Sequence, residues 1–352
     1  MKKHFTLPYD GGLIEKGIPQ GILHSYEKIP TEIYQESRPA SYAIADIVVD
    51  AISSSSPQRL FRLGLSTGST PTSLYNELAR RCKAGEVSFR NVEVYTIDEY
   101  YPTTAEPHQS RNFRIRESLL DKVDILEENI HIPSSSVPQD QVSEYCASFD
   151  KRARGLDLLV MGVGEQGQVG FNEAGSTAKS RTRTVRLSYQ SRKRQAGNFN
   201  HDVSATPASA ITMGISTMLS ARKIILMAWG EGKTAAVKSI AEGDPTPSCP
   251  ASFLQAHDDI TFFVDETAAE KLTRVVSPWL IGPCDWTPKY IRKAVVWLCQ
   301  KVGKPILKLT EKDYLENSLG ELLEKHGPFD KINIDVFNDL QHTITGWPGG
   351  KP

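Results

Sequence analysis

The chain has 352 residues, of which 39% are hydrophobic and 24% charged, with a formal net charge of −1. That length buries a sizeable core, and the composition is ordinary for a soluble globular protein, with no excess charge to suggest nucleic acid or a membrane surface as partner. No apolar run reaches the ~18 residues of a spanning helix, and no apolar stretch of the secretory type follows the N-terminal lysines.

Residues 1–30 are glycine- and proline-rich and read as a strap rather than a folding unit. Residues 40–52 read as a helix, because Ala43, Ile44, Ile47, Val48 and Ala51 recur at three- and four-residue steps. Residues 60–65 then form a strand that runs into Ser66-Thr67-Gly68-Ser69-Thr70-Pro71 and a second helix, with Thr70 as the expected N-cap and Pro71 as the first helical residue. A strand, a Gly loop and a helix start offer free N–H groups and a positive dipole end to an anion, although a hydroxyl-rich helix start also serves as plain capping. It is not a Walker A loop, since no Lys follows the glycine at the required place. Residues 92–97 read as the next strand, ending in Asp98-Glu99-Tyr100, where acidic residues serve either chemistry or the cap of the following element.

The most informative stretch is Leu156–Ser176. Five of its first six residues are apolar, as in a parallel strand buried on both faces. Gly162, Gly164, Gly167 and Gly170 follow, so the chain can turn tightly and bring bare backbone to a ligand, and Phe171-Asn172-Glu173 then supplies a carboxylate. Further on, residues 211–219 and 223–229 read as a helix followed by a strand, and Lys233 falls in the first turn after a Gly-rich strand exit. Residues 260–264 and a helix from Glu266 complete a doubly wound, mostly parallel α/β sheet with its site along the C-terminal strand edge. Residues 276–352 form a C-terminal α/β extension: helix at 291–299, strand at 306–309, helix at 313–325, strand at 332–337, then a linker-like end. The five cysteines, Cys82, Cys146, Cys249, Cys284 and Cys299, are scattered, which argues for reduced thiols in the cytoplasm rather than a disulfide frame or zinc site.

These motifs resemble, in order and over roughly residues 31–275, the sugar-phosphate isomerases of the glucosamine-6-phosphate deaminase type, a Rossmann-like fold. That family carries G-x-G-x-D-G-H-x-A-F-N-E-P where this chain has Gly162-Val163-Gly164-Glu165-Gln166-Gly167-Gln168-Val169-Gly170-Phe171-Asn172-Glu173-Ala174, so its Asp and His are both Gln here. The resemblance implies a sugar phosphate as ligand, held by Thr67, Gly68, Ser69, Thr70 and Lys233, with Gly164 beside it. It makes Asp98 the base that removes the C2 proton, and Glu173 the partner of a ring-opening His whose place is taken by Gln168. Gln166 stands for the accompanying carboxylate. The implied reaction converts an amino-sugar 6-phosphate to a ketose phosphate and ammonia in amino-sugar catabolism, without cofactor or metal. Its proton handling is altered, because Gln does not titrate near neutral pH. A non-catalytic sugar-phosphate-binding module is the alternative, and Phe171-Asn172-Glu173 counts against a 6-phosphogluconolactonase-like hydrolase. The tail resembles the junction, in a two-domain branch, to a following de-N-acetylase-like domain. A homo-oligomer is compatible with the family.

Overall fold

A computed structural model describes residues 25–56, 58–102 and 107–345, so residues 1–24 of the expected strap and the linker-like 347–352 lie outside the described residues. Internal contacts divide the chain into two units, Glu27–Lys271 and a second from Leu272 onward.

The strands of the first unit are β1 (Thr31–Tyr34), β2 (Phe61–Leu65), β3 (Val92–Thr96), β4 (Asp98–Tyr100), β5 (Ile130–His131), β6 (Leu158–Gly162), β7 (Arg183–Arg186), β8 (Ser209–Thr212), β9 (Ile224–Ala228) and β10 (Ile260–Asp265). Its helices are α1 (Ser37–Ser53), α2 (Thr72–Lys83), α3 (Arg111–Ser118), α4 (Val142–Arg152), α5 (Tyr189–Gln195), α6 (Ile215–Met218), α7 (Thr234–Ala241) and α8 (Glu266–Ala269). Seven strands form one sheet in the order β1-β10-β9-β6-β2-β3-β5, and every neighbouring pair is parallel. Both sides are covered, so the central strands are apolar throughout: Leu158, Leu159, Val160 and Met161 of β6 and all of β9 are buried. Ile44, Ala45, Val48 and Ile52 form the inward stripe of α1 and join Leu74, Tyr75 and Leu78 of α2 in the main core.

The order of connections creates the site. After β2 the chain adds β3 and β5 on one side; after β6 it adds β9 and β10 on the other. The loops leaving β2 and β6 therefore part from one another at their C-terminal ends, which leaves a crevice at a topological switch point.

Two local expectations change. Residues 211–219 are not one helix: β8 pairs antiparallel with β4 and β7 in a separate three-stranded sheet, and only α6 is helical. The β-branched Ile211 and Thr212 find strand partners there, which overrides the apolar spacing that suggested a helix. Thr70 is not an N-cap, because α2 starts at Thr72 with Pro71 in the cap position. The Thr72 N–H and hydroxyl both donate to the Ser69 carbonyl, closing a turn before the helix begins.

The second unit is helical: α9 (Thr273–Val276), α10 (Pro288–Val302), α11 (Glu311–Leu315), α12 (Gly320–His326) and α13 (Phe329–Thr345). The α10 helix is as expected, capped by Thr287 on the Tyr290 N–H, opened by Pro288 and closed by Gly303 in the left-handed region. Neither expected strand is present. Ile306–Lys308 is a single 3₁₀ turn, and residues 332–337 lie inside α13. Ile332, Ile334 and Val336 share one face of a strand, but in the helix Ile332 and Val336 enter the core while Ile334 is 52% exposed. The helix expected at 313–325 breaks at Ser318, whose φ is 62°.

Gly214 opens α6, and a Cβ there would lie 2.2 Å from the Arg181 and Ser180 backbone. Gly214→Ala should therefore lose about 1–3 kcal/mol, as overpacking against an unyielding main chain does. Gly68→Ala, whose Cβ meets nothing within 4 Å, should melt like the parent protein. Thermal denaturation of the two variants checks both.

Candidate active site

The loop leaving β2 is fixed across the end of β6. The Ser66 N–H donates to Val160 O (3.1 Å), and the Gly162 N–H donates to Ser66 Oγ (3.1 Å). The buried Tyr75 hydroxyl donates to the Ser66 carbonyl, and the Trp229 indole N–H donates to the Thr70 carbonyl at 3.0 Å. Gly162 is required by close approach, since a Cβ there would fall 2.7 Å from Thr70 Cβ. The loop is thus rigid. The N–H groups of Gly68, Ser69 and Thr70 make no hydrogen bond among the described residues, so they remain free for a ligand.

Asp98 and Glu99 divide the two readings of an acidic strand exit between them. Glu99 serves the following helix: its carboxylate accepts from its neighbour Tyr100 N–H and from the Arg111 and Asn112 N–H groups in the first turn of α3, whose N-cap is Ser110. Burial pushes its carboxyl above the ordinary range against those three donors. Asp98, only 1% exposed, faces the crevice instead. Its Oδ1 accepts from Thr67 Oγ1 at 2.6 Å, Thr67 accepts in turn from Arg111 Nη1 at 2.9 Å, and Arg111 Nε lies 3.6 Å from Asp98 Oδ1. The Arg111 guanidinium lies 4.3 Å from the centre of the Phe171 ring and 5.5 Å from that of Tyr100. Burial pulls this guanidinium down, but Asp98, Tyr100 and Glu99 raise its pKa above the ordinary value. Its Nε is buried without an acceptor.

The Gly-rich turn after β6 supplies the opposite wall. Gly167 and Gly170 take φ of 70° and 58°, and a Cβ on Gly170 would lie 3.2 Å from Asp98 Oδ2, so bare backbone lies against the carboxylate. Gln168 folds over Gly164, and its Oε1 accepts from the Gln166 N–H at 2.9 Å. The Gln166 side chain turns outward. It is exposed, donates to Gln190 Oε1 and accepts from Arg194 Nη2 at 3.4 Å. Glu173 Oε2 accepts from the Ser188 N–H at 3.1 Å, while Glu173 Oε1 is buried with no donor.

Lys233 stands at the end of a 3₁₀ turn before α7 and makes no ion pair among the described residues. Burial draws its ammonium below the ordinary 10.5; Glu165 opposes that shift and Arg194 adds to it. Glu165 Oε2 is 3.8 Å from Arg194 Nη1.

Together these groups enclose a cavity of about 360 Å³, within the usual range for small-molecule sites. Thr67, Gly68, Ser69, Thr70, Asp98, Gly164, Gln168, Glu173 and Lys233 all line it, whereas Gln166 sits at the rim. Sequence reasoning missed Glu165, Arg111, Arg114 and Arg194. Arg111 and Arg114 carry the one readable signal, a three-residue spacing that puts both on one helix face. Among the described residues no cluster of His, Cys, Asp and Glu could hold a metal ion, and no helix is long and apolar enough to cross a membrane.

Residues 35–263 match the family described as glucosamine-6-phosphate isomerases/6-phosphogluconolactonase. A glucosamine-6-phosphate deaminase-like protein of Bacteroides thetaiotaomicron is 44% identical over 342 residues, 96% of this chain and 51% of that protein, so the chain spans about half of that relative's length. The glucosamine-6-phosphate deaminase of Hahella chejuensis is 42% identical over 212 residues, 60% of this chain and 80% of the relative. Among solved structures, a monomeric glucosamine-6-phosphate deaminase aligns with a TM-score of 0.64 at 31% identity, covering 69% of this chain and 99% of that one. The 6-phosphogluconolactonase of Trypanosoma cruzi shares the fold, with a TM-score of 0.56 at 21% identity over 71% of this chain and 99% of the other.

The Arg111–Asp98 pair is testable without any ligand. Arg111→Met strands a buried carboxylate and should cost about 3–5 kcal/mol, as removal of one partner of a buried ion pair does. Adding Asp98→Asn should return part of that loss. Urea unfolding of the single and double variants measures the coupling.

Proposed function

From the premise that the chain belongs to the glucosamine-6-phosphate isomerase/6-phosphogluconolactonase family, we propose that it binds an amino-sugar 6-phosphate and, consuming one water, converts it to a ketose phosphate and ammonia with altered proton handling. The observation that carries this reading is the convergence of Asp98, Glu173 and the free N–H groups of the Thr67–Thr70 loop on one cavity. In this reading the phosphate lies on the Gly68, Ser69 and Thr70 N–H groups and the Lys233 ammonium. The Thr67 hydroxyl is already committed to Asp98, so it positions the carboxylate rather than the phosphate. Asp98 takes the proton from C2, and Glu173 lines the same cavity. Gln168 orients the sugar but does not shuttle the ring-opening proton.

A specific feature favours the second reading, a non-catalytic sugar-phosphate-binding module acting with a de-N-acetylase-like partner domain. The Gln168 carboxamide oxygen is tied back to the turn and Gln166 faces outward, and neither side chain titrates where the family motif has His and Asp.

Ammonia release from glucosamine 6-phosphate separates the two readings. The parent protein should turn over slowly, and Gln166→Asp with Gln168→His should raise the rate by about 10²–10⁴, the worth of one general acid–base group. No gain, with ligand binding intact, favours the module. Lys233→Ala should weaken glucosamine 6-phosphate binding in calorimetry without changing the melting temperature.

The lowered Lys233 pKa adds a pH signature. The ammonium binds phosphate only while protonated, so affinity should fall as pH rises, and at a lower pH than for an ordinary lysine of 10.5. Lys233→Ala should abolish that step.

A further inference from the structure

The two oxygens of the Asp98 carboxylate meet different surroundings. Oδ1 accepts the Thr67 hydroxyl at 2.6 Å and lies 3.6 Å from Arg111 Nε. An arginine has only donors, so Arg111 Nη1, 2.9 Å from Thr67 Oγ1, takes a lone pair of that hydroxyl. The Thr67 proton is thereby committed to Oδ1, and the relay runs in one direction. Arg111 is itself held in place, with its side chain 10% exposed and its guanidinium 4.3 Å from the centre of the Phe171 ring. Oδ2 is placed differently. It makes no hydrogen bond among the described residues, yet it is not sealed from solvent. A Cβ on Gly170 would stand 3.2 Å from it, and both Asp98 and Gly170 line the cavity. The Thr212 hydroxyl, close to the same glycine, accepts instead from the Phe171 N–H at 3.1 Å.

A carboxylate that already accepts a proton donor on one oxygen receives a further proton most readily on the other. Resting on the reading of Asp98 as the C2 base, we propose that Oδ2 is the atom that takes the proton and that Arg111, acting through Thr67, is the positioning residue that aims it. In this step Oδ2 takes the C2 proton of the open-chain aldose. The C2–H electron pair becomes a C1–C2 double bond, and the C1 carbonyl pair moves onto its oxygen. Oδ1 keeps its donor throughout, so the carboxylate does not rotate to exchange oxygens during the transfer. Arg111 supplies charge as well as direction, because a carboxylate this desolvated needs a cation beside it. Bare backbone at Gly170 completes the arrangement, since a side chain there would crowd Oδ2.

Ammonia release by the full chain from glucosamine 6-phosphate and from its C2-deuterated form tests the assignment. Thr67→Val removes the donor to Oδ1 but leaves the backbone N–H groups of the loop. Its kcat should fall by up to about 10²-fold, the cost of a misaimed reacting group, with KM unchanged. The deuterium isotope effect on kcat should rise above that of the parent protein, because breaking the C2–H bond becomes the slow step. Thr67→Ser should regain most of the rate. Arg111→Met should show the same signature as Thr67→Val, and Arg111→Lys should recover only part, since an ammonium lacks the fork that reaches both Thr67 and Asp98. Melting curves identify the variants that fold, and Thr67→Val carries the test by itself if the Arg111 variants do not. A Thr67→Val protein with unchanged kcat, with a loss confined to KM, or with a kcat loss whose isotope effect does not exceed the parent's overturns the inference and leaves the deamination reading standing. No ammonia from the parent protein overturns both.

Discussion

The parallel pairing of β2 with β6 is the constraint on which the cavity depends. Register places Leu65 beside Val160, and the pairing continues past the strand ends through Ser66, which takes the Gly162 N–H on its hydroxyl. This added rung holds two loops edge to edge at the point where their chains depart in opposite directions. A looser junction would leave the Gly68–Thr70 N–H groups without a common direction. Gly64 serves the same junction from below, since a Cβ there would meet the Leu159 and Leu156 side chains at 2.5 and 2.6 Å.

On that frame, charge rather than shape organises the interior. The Arg111–Thr67–Asp98 chain ties together three segments far apart in sequence, and the Phe171 and Tyr100 rings beneath Arg111 bring in a fourth. Desolvated ions of this kind are stable only when each has its partner. The site is consequently part of what holds the unit together, and it is assembled before any ligand enters. Such pre-assembly saves the ordering cost that a flexible pocket would incur on binding.

The parts of this architecture legible in the sequence were those governed by local pattern. Continuous apolar runs located β6 and β9, and the glycines of Gly162–Gly170 located the turn, because bare backbone is needed wherever the chain doubles back against a carboxylate. What stayed hidden depended on direction or on distant partners. Neighbouring residues in the turn diverge, so Glu165 lines the cavity while Gln166 faces the rim, and no spacing rule distinguishes them. Thr67 looked like a loop hydroxyl free for a ligand, and only the fold brings Asp98 and Arg111 to it. In the second unit, Ile332–Phe337 satisfies both periods at once, and burial of Ile332 and Val336 against Tyr314 and Leu309 decides for the helix. The Tyr314 hydroxyl bonded to Asn333 Oδ1 at 2.7 Å fixes that choice.

Gly164 and Gln168 carry a consequence for how this site could vary over evolution. A Cβ on Gly164 would stand 2.2 Å from the Gln168 Cδ, so the two positions share one volume. A side chain at 164 would force the tip of Gln168 to move from its place over the turn, whereas while 164 remains glycine, 168 is free to change its chemistry in place. With glycine at 164, the acid–base character at 168 is open to loss or recovery without moving the backbone. A larger residue at 164 would instead make the position of the side chain at 168 depend on its neighbour.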